Sequence, residues 1–132
     1  MKKIALVLGL FSLSSSLMAA NNWVKVPHQE KGVTIYYDFD TLKTKKTANG
    51  SRYLEAQIQR IYDVPKKTDK GTVYTHYYYT LSVDCNNWRY ATSDTVWAVN
   101  GKRASDGSGN YSWRSIQADG RVESEAFAVC DL

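Results

Sequence analysis

The run from Thr72 to Cys85 constrains the fold of this chain most strongly, because its side chains alternate in type along the whole segment. A period of two places successive side chains on opposite faces of a β-strand. The more apolar face comprises Val73, Thr75, Tyr77, Tyr79, Leu81, Val83 and Cys85. The other face comprises Tyr74, His76, Tyr78, Thr80, Ser82 and Asp84. The apolar face is expected to pack on the core and to carry Cys85 inward.

Several other stretches are rich in β-branched and aromatic residues and are bounded by turn residues, which predicts strands. These stretches are 23–26, 33–37, 52–63, 88–93, 95–99 and 102–104. Asn100 and Gly101 separate the last two and favour a tight hairpin, because both turn positions require a positive φ. The polar residues 43–51 and the basic residues 64–71 are expected to be loops. Ten tyrosines also favour a sheet, since aromatic side chains fit a pleated surface.

The C-terminal residues 121–130 have a helical period instead. Val122, Ala126 and Val129 recur at i, i+4 and i+7, which is the spacing of one helix face. Acidic residues near the start of this segment suit an N-cap and the helix dipole: Asp119, Glu123 and Glu125. The patterns together predict an α+β fold, in which an antiparallel sheet of about six strands carries a C-terminal helix on one face.

The first twenty residues predict export. Lys2 and Lys3 precede an apolar run from Ile4 to Leu13, and small residues follow, as in a secretory signal peptide. The apolar run is too short to span a bilayer, which needs about 20 residues. We therefore expect residues 1–20 to be a signal peptide and residues 21–132 to form a single domain. The predicted location is the periplasm, the cell surface or the medium.

The chain contains two cysteines, Cys85 and Cys130. An exported chain meets an oxidising compartment, and two cysteines allow a single pairing, so we predict a Cys85–Cys130 disulfide. The bridge would tether the C-terminal helix to the end of the longest strand. A catalytic or metal-binding cysteine is the rival interpretation, which the lack of a CxxC motif and of a nearby histidine disfavours. No cysteine stands directly after the predicted signal peptide, so no lipid anchor is predicted.

The net charge is small for a nucleic-acid-binding protein. The whole chain carries a formal charge of +4, and loss of Lys2 and Lys3 with the signal peptide halves that value. Charge alone therefore gives no support for nucleic acid as a partner.

Short motifs along the chain resemble a known family. They are Trp23-Val24, Tyr36-Tyr37-Asp38, Asp84-Cys85, Trp113 and Val129-Cys130. The sequence resembles the surface-adhesin protein E family of small exported bacterial proteins over nearly the whole of residues 21–132. The resemblance implies an antiparallel sheet with a C-terminal helix tethered by one disulfide. It also implies adhesion to host matrix proteins.

Two groups of lysines are candidate binding residues. The first comprises Lys43, Lys45 and Lys46, and the second comprises Lys66, Lys67 and Lys70. Both groups fall in predicted loops at opposite ends of the 52–63 strand. A basic loop can engage acidic glycans, anionic lipid heads or an acidic protein face. The alternative is that these lysines are solvated loop residues that serve solubility.

Tyr74, His76 and Tyr78 are the second candidate binding set, on the predicted strand face opposite Cys85. Exposed aromatic side chains are frequent binding anchors because they are large and amphipathic. The alternative is that this face packs on neighbouring side chains or on another copy of the chain. A dimer is compatible with the sequence, which does not determine the oligomeric state.

Catalytic and metal-binding signals are weak. Asp38 and Asp40 form a DxD pair, but two carboxylates are too few for a dedicated cation site, and aspartate also caps turns. His28 and His76 have no partner at ligand spacing. The sequence has no motif of a hydrolase, zinc protease or phosphate loop. We therefore expect no cofactor, no metal and no enzymatic activity.

The sequence favours an adhesin-like, exported binding protein. Its expected partner is a protein or polysaccharide of the envelope or of a host matrix, bound through the aromatic face and the basic loops. A second hypothesis is a periplasmic inhibitor or envelope-stress protein that never reaches the surface. A periplasmic enzyme is the third and least favoured hypothesis.

Overall fold

The computed structural model of the chain describes residues 22–27, 30–107, 112–118, 120 and 122–131. The predicted signal peptide (residues 1–20), His28 and the expected helix cap Asp119 lie outside the described residues. Within them, no helix has the length and apolar content that a membrane span requires.

The described chain forms eight antiparallel strands, one short 3₁₀ helix and one α-helix. The strands are β1 (Trp23–Lys25), β2 (Val33–Asp38), β3 (Lys43–Lys46), β4 (Arg52–Lys67), β5 (Val73–Asp84), β6 (Arg89–Val99), β7 (Lys102–Gly107) and β8 (Arg114–Ser115). The 3₁₀ helix covers Phe39–Thr41, and the helix α1 covers Glu123–Cys130. The sheet order is β1-β2-β4-β5-β6-β7, with β3 also paired to β4 and β8 also paired to β6. The predicted α+β class is confirmed, and the expected number of strands is approximately right.

The prediction of loops around β4 is wrong on both sides. Residues 43–46 form β3, in which Thr44 pairs with Leu54 of β4. The turn that joins the two strands includes Gly50, whose φ is +90°. At its other end β4 continues past the expected boundary to Lys67. A register irregularity between Ile61 and Lys66 accommodates Pro65, which has no N–H for the ladder. The polar composition of both segments conceals their pairing, because edge and end strands face water.

The turn between β6 and β7 follows its sequence signal, and side-chain hydrogen bonds hold the turn between β5 and β6. Asn100 and Gly101 have φ values of +52° and +77°, which confirms the predicted hairpin. At the β5–β6 turn, the Asp84 carboxylate accepts hydrogen bonds from the N–H groups of Asn86 and Asn87 at 3.1 and 3.0 Å. Burial alone would raise the pKa of Asp84, but hydrogen bonds from Asn87, Arg89 and Asn86 lower it below its usual value.

The core lies between α1 and one face of β2, β4 and β5. Its buried members include Ile35, Ile58, Tyr79, Leu81, Val83, Val122 and Ala126. Fully burying one such aliphatic side chain contributes about 1.5–3 kcal/mol. The predicted helix face is confirmed, since Val122, Ala126 and Val129 are all buried. Phe127 is 49% exposed and packs on Trp88 with ring centroids 5.0 Å apart.

The predicted disulfide is present. Cys85 and Cys130 are bonded, and their Cα atoms are 5.9 Å apart. The bridge joins the end of β5 to the last residue of α1 and so fixes the C-terminal end of the helix on the sheet.

Candidate binding site

A groove lined by three aromatic rings crosses the helix-bearing face of the sheet beyond the area that α1 covers. Its volume is about 500 Å³, and Tyr74, Tyr77 and Trp97 line it. The Tyr77 and Trp97 rings are stacked, with centroids 5.5 Å apart and planes inclined by 15°. The Tyr74 ring lies 6.3 Å from Tyr77 and 6.5 Å from Trp97. We call this feature the aromatic groove.

Strand pairing assembles these rings. Tyr77 on β5 is directly opposite Trp97 on β6, and facing side chains of an antiparallel pair approach closely. Tyr74 joins them because of the irregularity in the β4–β5 ladder, where Ile61 pairs with His76 but Lys66 pairs with Tyr74. Strict alternation would have placed Tyr74 on the opposite face.

The edges of the aromatic groove carry charges of both signs. Lys67 and Lys70 come from the β4–β5 hairpin, as does Asp69, and Asp106 comes from β7. The positive and negative groups are equal in number. The groove therefore has no net charge, but it offers both donors and acceptors around an aromatic base.

Gly107 keeps the Trp97 side of the groove uncovered. A Cβ atom at this position would lie 3.1 Å from Thr95 Oγ1 and 3.6 Å from the Trp97 ring. Thr95 Oγ1 also donates a hydrogen bond to the Gly107 carbonyl at 3.1 Å, which fixes the end of β7 beside the ring. A side chain at Gly107 would therefore crowd the ring that the groove presents.

A smaller cavity adjoins the aromatic groove and shares Tyr77 with it. Its volume is about 160 Å³. Its lining consists of Tyr77, Tyr79, Tyr90, Thr92, Ser112, Arg114 and Val122. Hydroxyl groups dominate this lining, and Arg114 of β8 is the cation among them. We call this feature the Arg114 cavity.

A buried polar network lies under α1 next to the Arg114 cavity. Glu125 is fully buried, and its Oε2 accepts hydrogen bonds from Arg60 Nη2 at 2.7 Å, Arg60 Nε at 3.2 Å and the Tyr79 hydroxyl at 2.5 Å. Burial and the Glu125 carboxylate raise the pKa of Tyr79 well above its usual value. Burial alone would lower the pKa of Arg60, but attraction to Tyr79 and Glu125 raises it above its usual range. Both shifts keep Tyr79 neutral and Arg60 positively charged through the physiological pH range.

The predicted aromatic stripe is divided between the two faces of the sheet. Tyr74 lines the aromatic groove, whereas the His76 and Tyr78 rings are stacked on each other with centroids 6.2 Å apart. Tyr78 is only 5% exposed and its hydroxyl accepts a hydrogen bond from Gln59 Nε2 at 3.1 Å. The expectation that all three rings are exposed on one face is therefore wrong.

Burial shifts both titratable groups of this opposite face. It lowers the pKa of His76, whose Nδ1 lies 2.9 Å from Thr75 Oγ1. It raises the pKa of Tyr78, and the hydrogen bond from Gln59 opposes this only in part. Both groups are therefore held in their neutral forms.

The two lysine groups are likewise separated, and neither is confined to a loop. Lys43 and Lys45 lie on β3, where their ammonium groups are 3.8 and 3.3 Å from Glu55, and Lys46 is exposed at the end of the same strand. Lys66 lies on β4 with its ammonium group 5.1 Å from the centre of the Tyr62 ring. Only Lys67 and Lys70 join Tyr74 at the aromatic groove.

The described residues contain no cluster of three or more histidine, cysteine, aspartate or glutamate side chains suited to a metal ion. Asp38 caps a turn, since its Oδ1 accepts a hydrogen bond from the Asp40 N–H at 3.0 Å. The turn interpretation of the DxD pair is thus confirmed.

Sequence reasoning missed three residues of this region. Tyr77 was assigned to the core face, where it does lie, but its ring is only partly buried and also lines the aromatic groove. Trp97 and Arg114 were not singled out, because their places beside Tyr77 depend on the β5–β6–β8 register. The Asn100-Gly101 hairpin signal fixes the β6–β7 turn, but the sequence contains no comparable signal for the β5–β6 register at Trp97.

The comparison with known proteins identifies the family of this chain. The model of the family described as surface-adhesin protein E matches residues 23–131, from the first residue of β1 to the residue after α1. No curated protein and no solved structure shows significant similarity to the chain. The family match covers most of the chain and every described strand and helix. The chain therefore belongs to the surface-adhesin protein E family.

Proposed function

We propose that this protein is an exported adhesin whose aromatic groove binds a sugar unit of a polysaccharide. Family membership indicates an adhesin-like surface protein that acts by binding. The observation that carries the proposal is the stacked pair of Tyr77 and Trp97, which forms one wall of a groove of about 500 Å³. That volume lies within the range of about 300–1,000 Å³ that is usual for ligand sites.

The chemistry of the groove suits a saccharide. One face of a sugar ring carries C–H groups, which pack favourably on the electron-rich face of an aromatic ring. The sugar hydroxyls both donate and accept hydrogen bonds. Lysine ammonium groups at the groove edges would donate hydrogen bonds to the sugar oxygens. The Asp69 and Asp106 carboxylates would accept hydrogen bonds from the sugar hydroxyls.

The groove is less suited to an apolar protein segment. An interface core between proteins is depleted of charged residues, but here two lysines and two aspartates surround the three rings. A polysaccharide needs no such apolar surface, since its own surface is covered with hydroxyls. We therefore favour a polysaccharide over a protein as the occupant of this groove.

Export is supported by two features of the chain. Residues 1–20 have the pattern of a signal peptide. The Cys85–Cys130 disulfide is the kind of bond that forms in an oxidising compartment.

The test compares two tryptophan variants on a panel of immobilised polysaccharides and matrix proteins. Trp97→Ala removes one ring of the stacked pair. Trp113→Ala removes a ring that packs on Tyr53 at 5.3 Å, outside the aromatic groove. We expect Trp97→Ala to weaken polysaccharide binding by about tenfold or more, because stacking contacts contribute roughly 1–3 kcal/mol. Trp113→Ala should bind like the unchanged protein.

Two results would contradict the proposal, and another would show that the variants are misfolded. Equal losses in both variants would indicate damage to the fold, which thermal unfolding of each variant would reveal. Retained polysaccharide binding in Trp97→Ala would exclude the aromatic groove as the site. Binding to matrix proteins alone, with no polysaccharide retained by the unchanged protein, would assign the groove or another surface to a protein partner.

A further inference from the structure

We infer that the Arg114 cavity is a second subsite of the same ligand and binds a carboxylate group, so that the ligand is an acidic polysaccharide such as one containing uronic acid units. This inference rests on the proposed function of the aromatic groove. It adds the chemical class of the ligand and names Arg114 as the residue that binds the charged group of that ligand.

The Arg114 guanidinium is available for a ligand. Within the described residues it makes no ion pair and no hydrogen bond. Five other cationic residues each pair with a carboxylate of the protein: Lys43, Lys45, Arg60, Arg89 and Arg103. An arginine presents five N–H donors in a planar fork, which matches the two oxygens of a carboxylate.

The remaining lining of the cavity favours an anion. Hydroxyl groups of Tyr90 and Thr92 supply further donors, and no aspartate or glutamate is among the described residues that line it. The Glu125 carboxylate, which accepts a hydrogen bond from the lining residue Tyr79, is itself paired with Arg60 at 2.7 Å. An acidic group in the cavity would therefore meet one cation and several hydroxyl donors without an opposing exposed carboxylate.

The two cavities are placed to hold one extended ligand. Tyr77 lines both of them, so a chain that stacks a sugar on Tyr77 and Trp97 passes directly to Arg114. The Arg114 cavity, at about 160 Å³, is smaller than a usual ligand site and suits one substituent rather than a whole ligand. In this arrangement the neutral aromatic groove binds a stacked sugar unit, and the basic Arg114 cavity binds an acidic group of the same ligand.

The experiment measures the binding of the purified protein to matched polysaccharides. The carboxylated probes are hyaluronan, alginate and polygalacturonate, and their carboxyl-amidated forms are the neutral probes. Dextran sulfate and dextran provide a sulfated polymer and its neutral parent. The variants are Arg114→Gln, Trp97→Ala and, as a control for the loss of one positive charge, Lys25→Gln on β1 at the opposite edge of the sheet.

We expect the unchanged protein to bind at least one carboxylated probe about tenfold or more tightly than its amidated form, because charge-assisted hydrogen bonds contribute about 1.5–3 kcal/mol. Arg114→Gln should abolish this preference without weakening binding to the neutral form. Lys25→Gln should retain the preference, and Arg114→Gln should unfold at the same temperature as the unchanged protein, because position 114 is exposed.

The outcomes separate this inference from the proposed function. If Trp97→Ala weakens binding but Arg114→Gln retains the preference, or no carboxylated probe is preferred, the aromatic groove stands and the acidic subsite is wrong. A preference for dextran sulfate over all three carboxylated probes would overturn the carboxylate assignment. If neither Trp97→Ala nor Arg114→Gln changes binding to any probe, both proposals fail.

Discussion

Tyr77 and Tyr79 occupy the same face of β5 two residues apart, and their main surroundings differ although both line the Arg114 cavity. Tyr79 is 4% exposed, lies in the core and donates a hydrogen bond from its hydroxyl to Glu125 under α1. Tyr77 lies 5.2 Å from it, ring to ring, but stacks on Trp97 in the aromatic groove. The difference arises because α1, at eight residues, covers only one part of a much longer sheet face. The covered part supplies stability, and the uncovered part is available for binding.

The two regions also treat polar groups differently. In the covered region, Glu125 and Arg60 are buried and paired at 2.7 Å. At the groove, Lys67 and Asp106 are exposed at the edges, and the ion pair of Asp106 with Arg103 at 3.2 Å is exposed as well. A buried pair is costly to disrupt, whereas an exposed charge contributes little to stability and remains available to a ligand.

The largest expected effect on stability is that of removing the Glu125 carboxylate, which tests whether the covered region supplies the stability of the fold. Glu125→Ala leaves Arg60 buried without its carboxylate, which should destabilise the protein by about 3–5 kcal/mol. Urea unfolding, followed by circular dichroism, measures this loss. The double variant Arg60→Leu/Glu125→Leu removes both charges and should recover most of the stability, since it leaves no unpaired ion. If Glu125→Ala unfolds at the same urea concentration as the unchanged protein, the network is not a stabilising element.

Removal of the disulfide is expected to have the second largest effect on stability. It tests the difference between the covered region and the groove. Cys85→Ala/Cys130→Ala should lower the free energy of unfolding by about 2–4 kcal/mol, because the unfolded chain regains the freedom of the loop that the bridge closes. The loss should fall mainly on the covered region. Amide hydrogen exchange should therefore show weaker protection in α1 relative to the paired residues Tyr77 and Trp97 of β5 and β6.

An equal loss of protection in α1 and in β5–β6 would show that the two regions unfold as one unit. That result would remove the distinction between a covered region held by the bridge and a groove held by strand pairing alone.

The smallest effect concerns His76, on the opposite face of the sheet. Burial lowers its pKa below the usual value of 6.5, so the unfolded chain takes up the proton at higher pH than the folded protein does. The stability contribution is fully present above about pH 6.5 and declines as the pH falls toward the folded-state pKa. Thermal unfolding between pH 8 and pH 5 should thus show a steeper decline for the unchanged protein than for His76→Gln. Parallel profiles would show that His76 has the same pKa in both states.

Local signals in the sequence were sufficient for the framework. The alternation in 72–85 places Leu81 and Val83 in the core, and the positive φ values required by Asn100 and Gly101 define the last hairpin. These features depend on neighbours in sequence, so they can be deduced from the chain alone.

The candidate site depends on the register between strands, and there the same reasoning was incomplete. Tyr74 was placed beside His76 and Tyr78 because a regular strand was assumed, whereas the ladder irregularity at Pro65 places its ring against Tyr62 and Trp97.

Glu125 combines one feature that the sequence predicts with another that only the structure shows. Its position in the first turn of α1 follows from the sequence, and an acidic residue there suits the helix dipole. Its complete burial does not follow, because a carboxylate is normally exposed unless a cation meets it in the interior. That cation, Arg60, is 65 residues away in the chain.

The sequence by itself determined most of the strands, the terminal helix and the Cys85–Cys130 pairing, because each depends on local periodicity or on a unique choice of partners. Its short motifs also indicated the family. Only the tertiary structure decided which aromatic rings are covered, which charges are paired and which side chains line the groove. The physical reason is that the extent of α1 over the sheet and the register of β5 against β4 and β6 bring together residues that no local pattern connects.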